Sequence, residues 1–401
     1  MKILVLNSGS STQKSALFDL EPGTCTAAVP PLWEGRLEWD ANREILTIRN
    51  CLGRELRQES QVSSDKREES LEKMLRCLCA GPTAVAGALS EIAVVGHRIV
   101  HGGAKLTQPV VITPEVKQAI SEVSTIAPLH NHAGLQGIEL IEKLLPGTRQ
   151  IAVFDTGFHR TLPPEARIYP GPYAWYEHGI QRYGFHGINH EYCAHRAAEL
   201  LRKEIGVLKI VTCHLGNGCS LAAIDGGRSV DTTMGFTPLE GLMMGTRSGS
   251  VDPGILTHLL RSGLQPADLD RVLNQQSGLL GISGASGDMR DILRAMGKGN
   301  QRATLAFDIF IHRLRHGIAA MAASLGRVDA LVFTAGIGEN SPEVRREACA
   351  QLGFLGIRLD ETRNLTGRAD FELSAAGSQV RILVIHAQED WAIARKAVSL
   401  I

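Results

Sequence analysis

The sequence carries no charge excess of either sign: Lys and Arg together number 42, and so do Asp and Glu, among 401 residues. That balance removes the electrostatic reason to expect nucleic acid or an anionic membrane as a partner. Long apolar runs are missing too. No stretch reaches the ~18 apolar residues a membrane-spanning helix needs, and the apolar start "MKILVL" is too short for a secretory signal. The eight cysteines (Cys25, Cys51, Cys77, Cys79, Cys193, Cys213, Cys219 and Cys349) include no CxxC pair. They read as small buried hydrophobes. HExxH, zinc-type Cys/His spacing and the G-x-S-x-G elbow are all missing. Zinc peptidases and α/β-hydrolases therefore lose their usual support. What is left is a reduced, cytoplasmic enzyme or ATPase.

Glycine, by contrast, is plentiful at 42 residues, and much of it sits in short motifs where backbone can approach a ligand. The length predicts two domains. Strands are predicted at 2–8 and 14–20, a hairpin over 35–50 turning at Ala41–Asn42, and a strand at 150–155. Helices are predicted at 65–80, 113–124 and 133–144. The pattern then restarts with a helix near 189–205 and strands at 209–215 and 221–225. Helices at 253–262, 266–276, 287–297 and 301–325 follow. A strand at 330–336, a helix from Ser341–Pro342, a strand at 381–385 and a last helix at 389–400 close the chain.

"NSGSSTQKS" (7–15) falls short of a P-loop, because the second glycine is missing and a strand follows instead of a helix. A tight Gly-centred hairpin can still aim backbone N–H groups and hydroxyls at an anion. The same device recurs half a chain later. "ILVLNSGSSTQKSALFDL" and "IVTCHLGNGCSLAAIDGG" both run apolar strand, Gly turn, apolar strand, acid. "TAGIGEN" (334–340) reads as a third Gly turn. Two similar α/β domains facing a cleft are expected.

Several side chains suit an anionic substrate. Arg98 in "VGHRIVHGG" and Arg247 in "GLMMGTRSGSVDPG" lie beside glycines, where a guanidinium fork can grip a carboxylate or phosphoryl group. Asp155 ends an apolar strand, a place for a metal contact, a catalytic role or a turn cap. His186 stands between Gly184 and Gly187, while His190 reads as a helix-start residue. His214 and Asn217 flank the second turn. Asp288 or Asp291 suits an N-cap, and Glu389 suits either a cap or a metal-water contact. Anion loops, arginines, cleft carboxylates and a histidine fit Mg-dependent phosphoryl transfer.

With these motifs the chain resembles the acetate kinase family, whose fold is similar to that of actin, sugar kinases and the heat-shock chaperone ATPases. The resemblance runs nearly full length through "LNSGSSTQK", "GHRIVHGG", "APLHNH", "FDTGFH", "RYGFHG", "HLGNGCS", "MGFTPLEGLMMGTRSG", "SGDMRD", "GIGEN" and "QEDWAIAR". It implies two actin-like (ribonuclease H-like) domains, residues 1–155 with the last helix 389–401 and residues 156–388, and a nucleotide cleft between them. It implies transfer of phosphoryl from ATP to acetate or another short-chain carboxylate, with Mg²⁺ (or Mn²⁺), hinge closure, and a homodimer through the C-terminal domain. Nucleic acid and membrane are not expected partners.

By the same resemblance, Asn7, Arg98, Asp155, His186 and Arg247 form the catalytic cluster, with Asn7 and Glu389 at the metal. Arg98, Val100, Leu129, Phe185 and Pro238 take the substrate. Ser10, Thr12 and Lys14 match the first phosphate turn, and His214, Gly216, Asn217 and Gly218 the second. Asp288, Met289, Arg290, Gly336, Ile337, Gly338 and Asn340 match the base and ribose contacts. The chain departs from the family pattern at Thr12, at "HNHAG" (130–134), at Ser250 and at Ala335. The change next to Leu129 leaves acetate and propionate both open. An actin-like ATPase without an acid substrate is the rival from another class, and it gives no reason for Arg98 and Arg247.

Overall fold

The computed structural model describes the chain except for residues 10–11, 22–27, 41–42, 62–66, 126–127 and 368–369. Two compact units emerge, one of Met1–Gly157 with Gln388–Ile401, the other of Phe158–Ala387.

Among the described residues of the first unit, eight strands form one sheet. They are β1 (Lys2–Ser8), β2 (Thr12–Asp19), β3 (Trp33–Asp40), β4 (Arg43–Asn50), β5 (Glu55–Gln61), β6 (Ile92–Ile99), β7 (Val110–Val111) and β8 (Arg149–Phe154). Their order is β5-β4-β3-β2-β1-β6-β8-β7. The central strand β1 is buried from Ile3 to Ser8, as expected for a strand covered on both faces. Trp33, Leu37, Leu46 and Ile48 of the meander pack with Met74, Leu75, Leu140 and Ile141 from helices. On β6, Gly96 leaves room for the last helix, Glu389–Val398: a Cβ there would lie 2.8 Å from Ile393 Cγ2. That close approach brings the start of the helix up to Asn7 at the end of β1.

The second unit has six strands among its described residues: β9 (Lys209–Leu215), β10 (Cys219–Asp225), β11 (Arg228–Thr232), β12 (Ala330–Thr334), β13 (Phe371–Glu372) and β14 (Arg381–Val384). Their order is β11-β10-β9-β12-β14-β13. Here β9 and β10 are antiparallel, and β9–β12 and β12–β14 are parallel. The first unit repeats that scheme in β3-β2-β1-β6-β8. The restart in the sequence is thus a repeated ribonuclease H-like sheet, as expected.

Details differ from the sequence reading. The meander has a further strand, β5, whose pattern is too polar to stand out. The turn Ala41–Asn42 lies outside the described residues. The helix expected from 133 begins at Pro128. The strand expected to reach 336 stops at Thr334, and "AGIGEN", expected as a Gly turn, is a short helix, Ala335–Asn340. His190 does not merely open a helix: that helix starts at Gly187, and His190 is fully buried in it.

Only four non-glycine residues among those described have positive φ: His186, Arg202, Ala335 and Asp370. Ala335, at φ 65°, has no polar side chain to offset the clash of Cβ with backbone. Ala335→Gly is expected to raise stability by about 1 kcal/mol. A urea midpoint that falls in this variant would count against the strain.

Candidate active site

Strand register builds the first half of the site. On β1, Asn7 pairs with Lys14 of β2 on one side and with Arg98 of β6 on the other. One row across the sheet therefore carries Lys14, Asn7 and Arg98, and Asp155 follows directly on β8. Arg98 Nε donates to Asp155 Oδ2 at 3.1 Å, a second guanidinium N–H reaches the same oxygen, and Nη1 donates to Asn7 Oδ1 at 3.2 Å. Asn7 Nδ2 donates in turn to Glu389 Oε2 at 3.3 Å and Asp390 Oδ1 at 2.9 Å.

Asp155 is 1% exposed. Burial disfavours the Arg98 cation, but Asp155, Glu389 and Asp390 outweigh it and hold the guanidinium charged. Burial also pushes the Asp390 carboxyl up, against the pull of Lys14 and the Asn7 amide. Asp390 is a member that the sequence reading missed. Its signal was its place next to Glu389 in "QEDW", at the start of a helix aimed at Asn7. Thr12 opens β2 and its carbonyl accepts from Gly9 N at 2.8 Å, closing the first turn. Val100 is buried. Ser10 and the side chain of Leu129 lie outside the described residues.

The second unit repeats the row with different side chains. His214 of β9 pairs with Ser220 of β10 and Thr334 of β12, and Gly216, Asn217 and Gly218 make the turn between β9 and β10. His186 caps the helix Gly187–Leu201 in the left-handed conformation. Its ring stacks on His214 with centroids 4.0 Å apart and planes 9° apart. Ser220 Oγ lies 2.9 Å from His186 Nδ1 and 2.7 Å from His190 Nε2, and His190 Nδ1 lies 2.7 Å from Thr212 Oγ1.

A Cβ on Gly218 would meet Arg247 Nη1 and His186 Cε1, each at 3.3 Å, and His186 Nε2 at 3.4 Å. Arginine and imidazole thus converge on the backbone of the turn, and only glycine leaves that space open. Arg247 Nη1 is steadied by the Pro238 carbonyl at 3.0 Å. A Cβ on Gly216 would lie 3.8 Å from Ala335 Cβ, and one on Gly245 would meet Asn217 Oδ1 and the Gly287 carbonyl. The segments before Asp288 and before Gly336 therefore adjoin the turn.

Asp288 caps the helix Met289–Gly297 and binds the Arg290 side chain, so in this state those two residues engage each other. Met289, Phe185 and Gly338 are buried, Ile337 is half-buried, and Asn340 Nδ2 donates to the Gly336 carbonyl at 2.9 Å. Ser220 and His190 were not among the predicted site residues. Their signal was hidden, because a serine after a Gly turn and a histidine in a helix have no spacing that marks them as partners.

A sequence profile described as the Acetokinase family matches residues 2–395. An acetate kinase of Trichormus variabilis is 55% identical over 399 residues, covering 99% of this chain and 98% of its own. Among solved structures, Porphyromonas gingivalis acetate kinase aligns with a TM-score of 0.89 at 40% identity, covering 100% of both chains. A propionate kinase from Francisella tularensis aligns with a TM-score of 0.90 at 35% identity, also over 100% of both chains.

Three buried histidines set a pH limit. Burial lowers His97 and His159 to about 4 and puts His190 further below its ordinary 6.5, where His159 and His214 add to the effect. Between pH 6.5 and 4 the unfolded chain therefore binds protons that the folded chain refuses. Their contribution to stability is full above 6.5 and is lost as pH falls, by up to ~1.4 kcal/mol per pH unit for each histidine. Urea midpoints are expected to fall steadily from pH 7 to pH 5, and a flat or rising series would contradict the neutral rings.

Proposed function

The chain belongs to the acetokinase family, and from that membership we propose how its residues move phosphoryl from ATP to the carboxylate of a short-chain acid. The activity is that of an acetate kinase, ATP and acetate giving ADP and acetyl phosphate. The observation that carries the mechanism is the row Lys14–Asn7–Arg98, its guanidinium kept charged by the buried Asp155.

An acid's carboxylate oxygen is already an anion and needs no base to become a nucleophile. It attacks the γ-phosphorus in line. The new O–P bond forms as the bond to the β–γ bridging oxygen breaks, and the electron pair leaves with ADP. The obstacle is repulsion between two anions. Arg98 and Arg247 grip the carboxylate and the phosphoryl and cancel that repulsion, and His186 supplies a donor for the charge that spreads over the equatorial oxygens. Asp155 orients Arg98 and does not have to take a proton. Lys14, Thr12 and Ser10 hold phosphate oxygens at the first turn, and His214 with Gly216–Gly218 does so at the second. Asp288–Arg290 and Gly336–Asn340 take the base and ribose.

The oxygen-rich set of Asn7, Glu389 and Asp390 fits Mg²⁺, with Mn²⁺ a substitute, because a hard cation binds through one or two carboxylates, water and substrate phosphates. Such an ion, when bound, neutralises phosphate charge. By family membership Val100, Leu129, Phe185 and Pro238 are the residues that would take the alkyl end of the acid. One methylene there is worth about 1–3 kcal/mol, which leaves propionate as the competing substrate.

No helix of the described residues is long and apolar enough to cross a membrane. The cysteines among them are free thiols, which supports a reducing cytoplasm. A homodimer through the second unit is supported by the helix Pro253–Arg261, which buries none of its residues, and by exposed Ile255, Leu260 and Leu305. Light scattering should give twice the chain mass, and Ile255→Glu with Leu260→Glu should halve it; a monomeric wild type would rule the dimer out.

The function is tested by trapping acyl phosphate as hydroxamate with ATP, Mg²⁺ and acetate, propionate, butyrate or formate. Acyl phosphate is expected from acetate, and Arg98→Ala and Arg247→Ala should each lower kcat by ~100-fold or more. Glu389→Ala should raise the Mg²⁺ needed for half-maximal rate. Wild-type rates in both arginine variants would refute the site. ATP hydrolysis with no acyl phosphate from any acid would favour an actin-like ATPase instead.

A further inference from the structure

Behind the second turn, His214 is held by a group that fixes where its proton sits. Asn189 is fully buried in the helix Gly187–Leu201. Its Nδ2 donates to His214 Nδ1 at 2.8 Å and to Thr334 Oγ1 at 3.4 Å, and its Oδ1 accepts from the Cys193 thiol at 3.6 Å. In this orientation the amide oxygen faces the Cys193 thiol and the amide nitrogen faces the His214 ring and the Thr334 hydroxyl. A primary amide nitrogen donates and cannot accept. His214 Nδ1 must therefore be the bare nitrogen, and the neutral ring carries its proton on Nε2. That atom faces the turn, 3.7 Å from where a Cβ on Gly216 would stand.

We propose that Asn189 is a positioning residue that locks His214 in the Nε2–H tautomer, so that a neutral N–H donor points at the Gly216–Gly218 turn. This rests on the assignment of that turn to the nucleotide's phosphates. The more common partner of a functional histidine is a carbonyl or carboxylate that accepts from Nδ1–H and leaves Nε2 bare. A bare Nε2 here would turn a lone pair toward phosphate oxygens. The inverted partner removes that repulsion without adding charge. Adding charge is disfavoured in any case, because the parallel His186 ring lies only 4.0 Å away.

The titratable and charged groups around His214 are His186 in the stack, His190 on the helix and Arg247, which converges with His186 on Gly218. Thr334 on β12 faces Asn189 and carries no charge.

The first test is ¹⁵N NMR of histidine-labelled enzyme without nucleotide, with the His214 signals identified by their loss in His214→Gln. A protonated Nε2 and a bare Nδ1 at neutral pH are expected, and the opposite tautomer or an imidazolium would overturn the proposal. This readout involves no activity, so it stands or falls apart from the kinase assignment, which the acyl-phosphate assay decides.

The second test is Asn189→Asp. A carboxylate only accepts, so it should reverse the tautomer and raise KM for ATP about tenfold, the value of one hydrogen bond. Acid that protonates the ring should then bring the variant's KM back toward wild type, because the imidazolium regains Nε2–H. An unchanged KM, or a rise equal at all pH values, would overturn a positioning role. Should the variant not fold, the wild-type spectrum decides alone.

Discussion

A guanidinium buried at the end of an inner strand has to keep its charge out of water, and everything around Arg98 answers that constraint. Asp155 lies below it, 1% exposed, and Asn7 holds it from the side. The pair is not a source of net stability, because taking both charges out of water costs about what their attraction returns. Its effect is directional. With one carboxylate oxygen taking two of its N–H groups, the guanidinium is fixed in orientation and stays charged at any working pH. Asn7 then passes the constraint on to Glu389 and Asp390, which ties the last helix to the first strand. Gly96 belongs to the same arrangement, since only a residue without a side chain lets that helix lie so close to β6.

The repeated sheet shows how one backbone device serves two electrostatic purposes. At equivalent positions the first unit carries Lys14, Asn7 and Arg98, and the second carries Ser220, His214 and Thr334. The first row is ionic and depends on compensation among whole charges. The second is built from hydrogen-bonding side chains, with Asn189, Ser220 and His190 as their partners. Strand pairing dictates where the side chains stand. It does not dictate their chemistry, so the two halves could diverge without disturbing the fold.

Much of this was legible in the sequence. Paired strands around a Gly turn, repeated half a chain apart, have a pattern that local physics makes visible, and Arg98, Arg247 and His186 stood out because glycines flank them. What stayed hidden was long-range. Asp390 acts through Asn7, 383 positions away in the chain. His190 and Ser220 meet across 30 positions and look, in sequence, like a helix residue and a turn residue. "TAGIGEN" misled for a local reason: its glycines suggest a turn after a strand that runs to 336, but the residues after Thr334 take up a helix, with Ala335 in a conformation that glycine would adopt more easily. For Asp288 the N-cap reading is what the structure shows, since its side chain accepts from Arg290 N at the start of the helix.

The division between charged and neutral donors bears on catalysis itself. Cations bind a polyphosphate whatever its stage of reaction, and interactions equal in ground and transition state do not raise kcat. A site made only of lysines and arginines would hold ATP and ADP tightly and turn over slowly. Neutral donors such as an imidazole N–H add little to long-range attraction. Their worth depends on an oxygen arriving at one position, so they can favour the planar, charge-spread phosphoryl over either tetrahedral phosphate. By this argument cations serve to bring two anions together, and directed neutral N–H donors decide what happens once they meet.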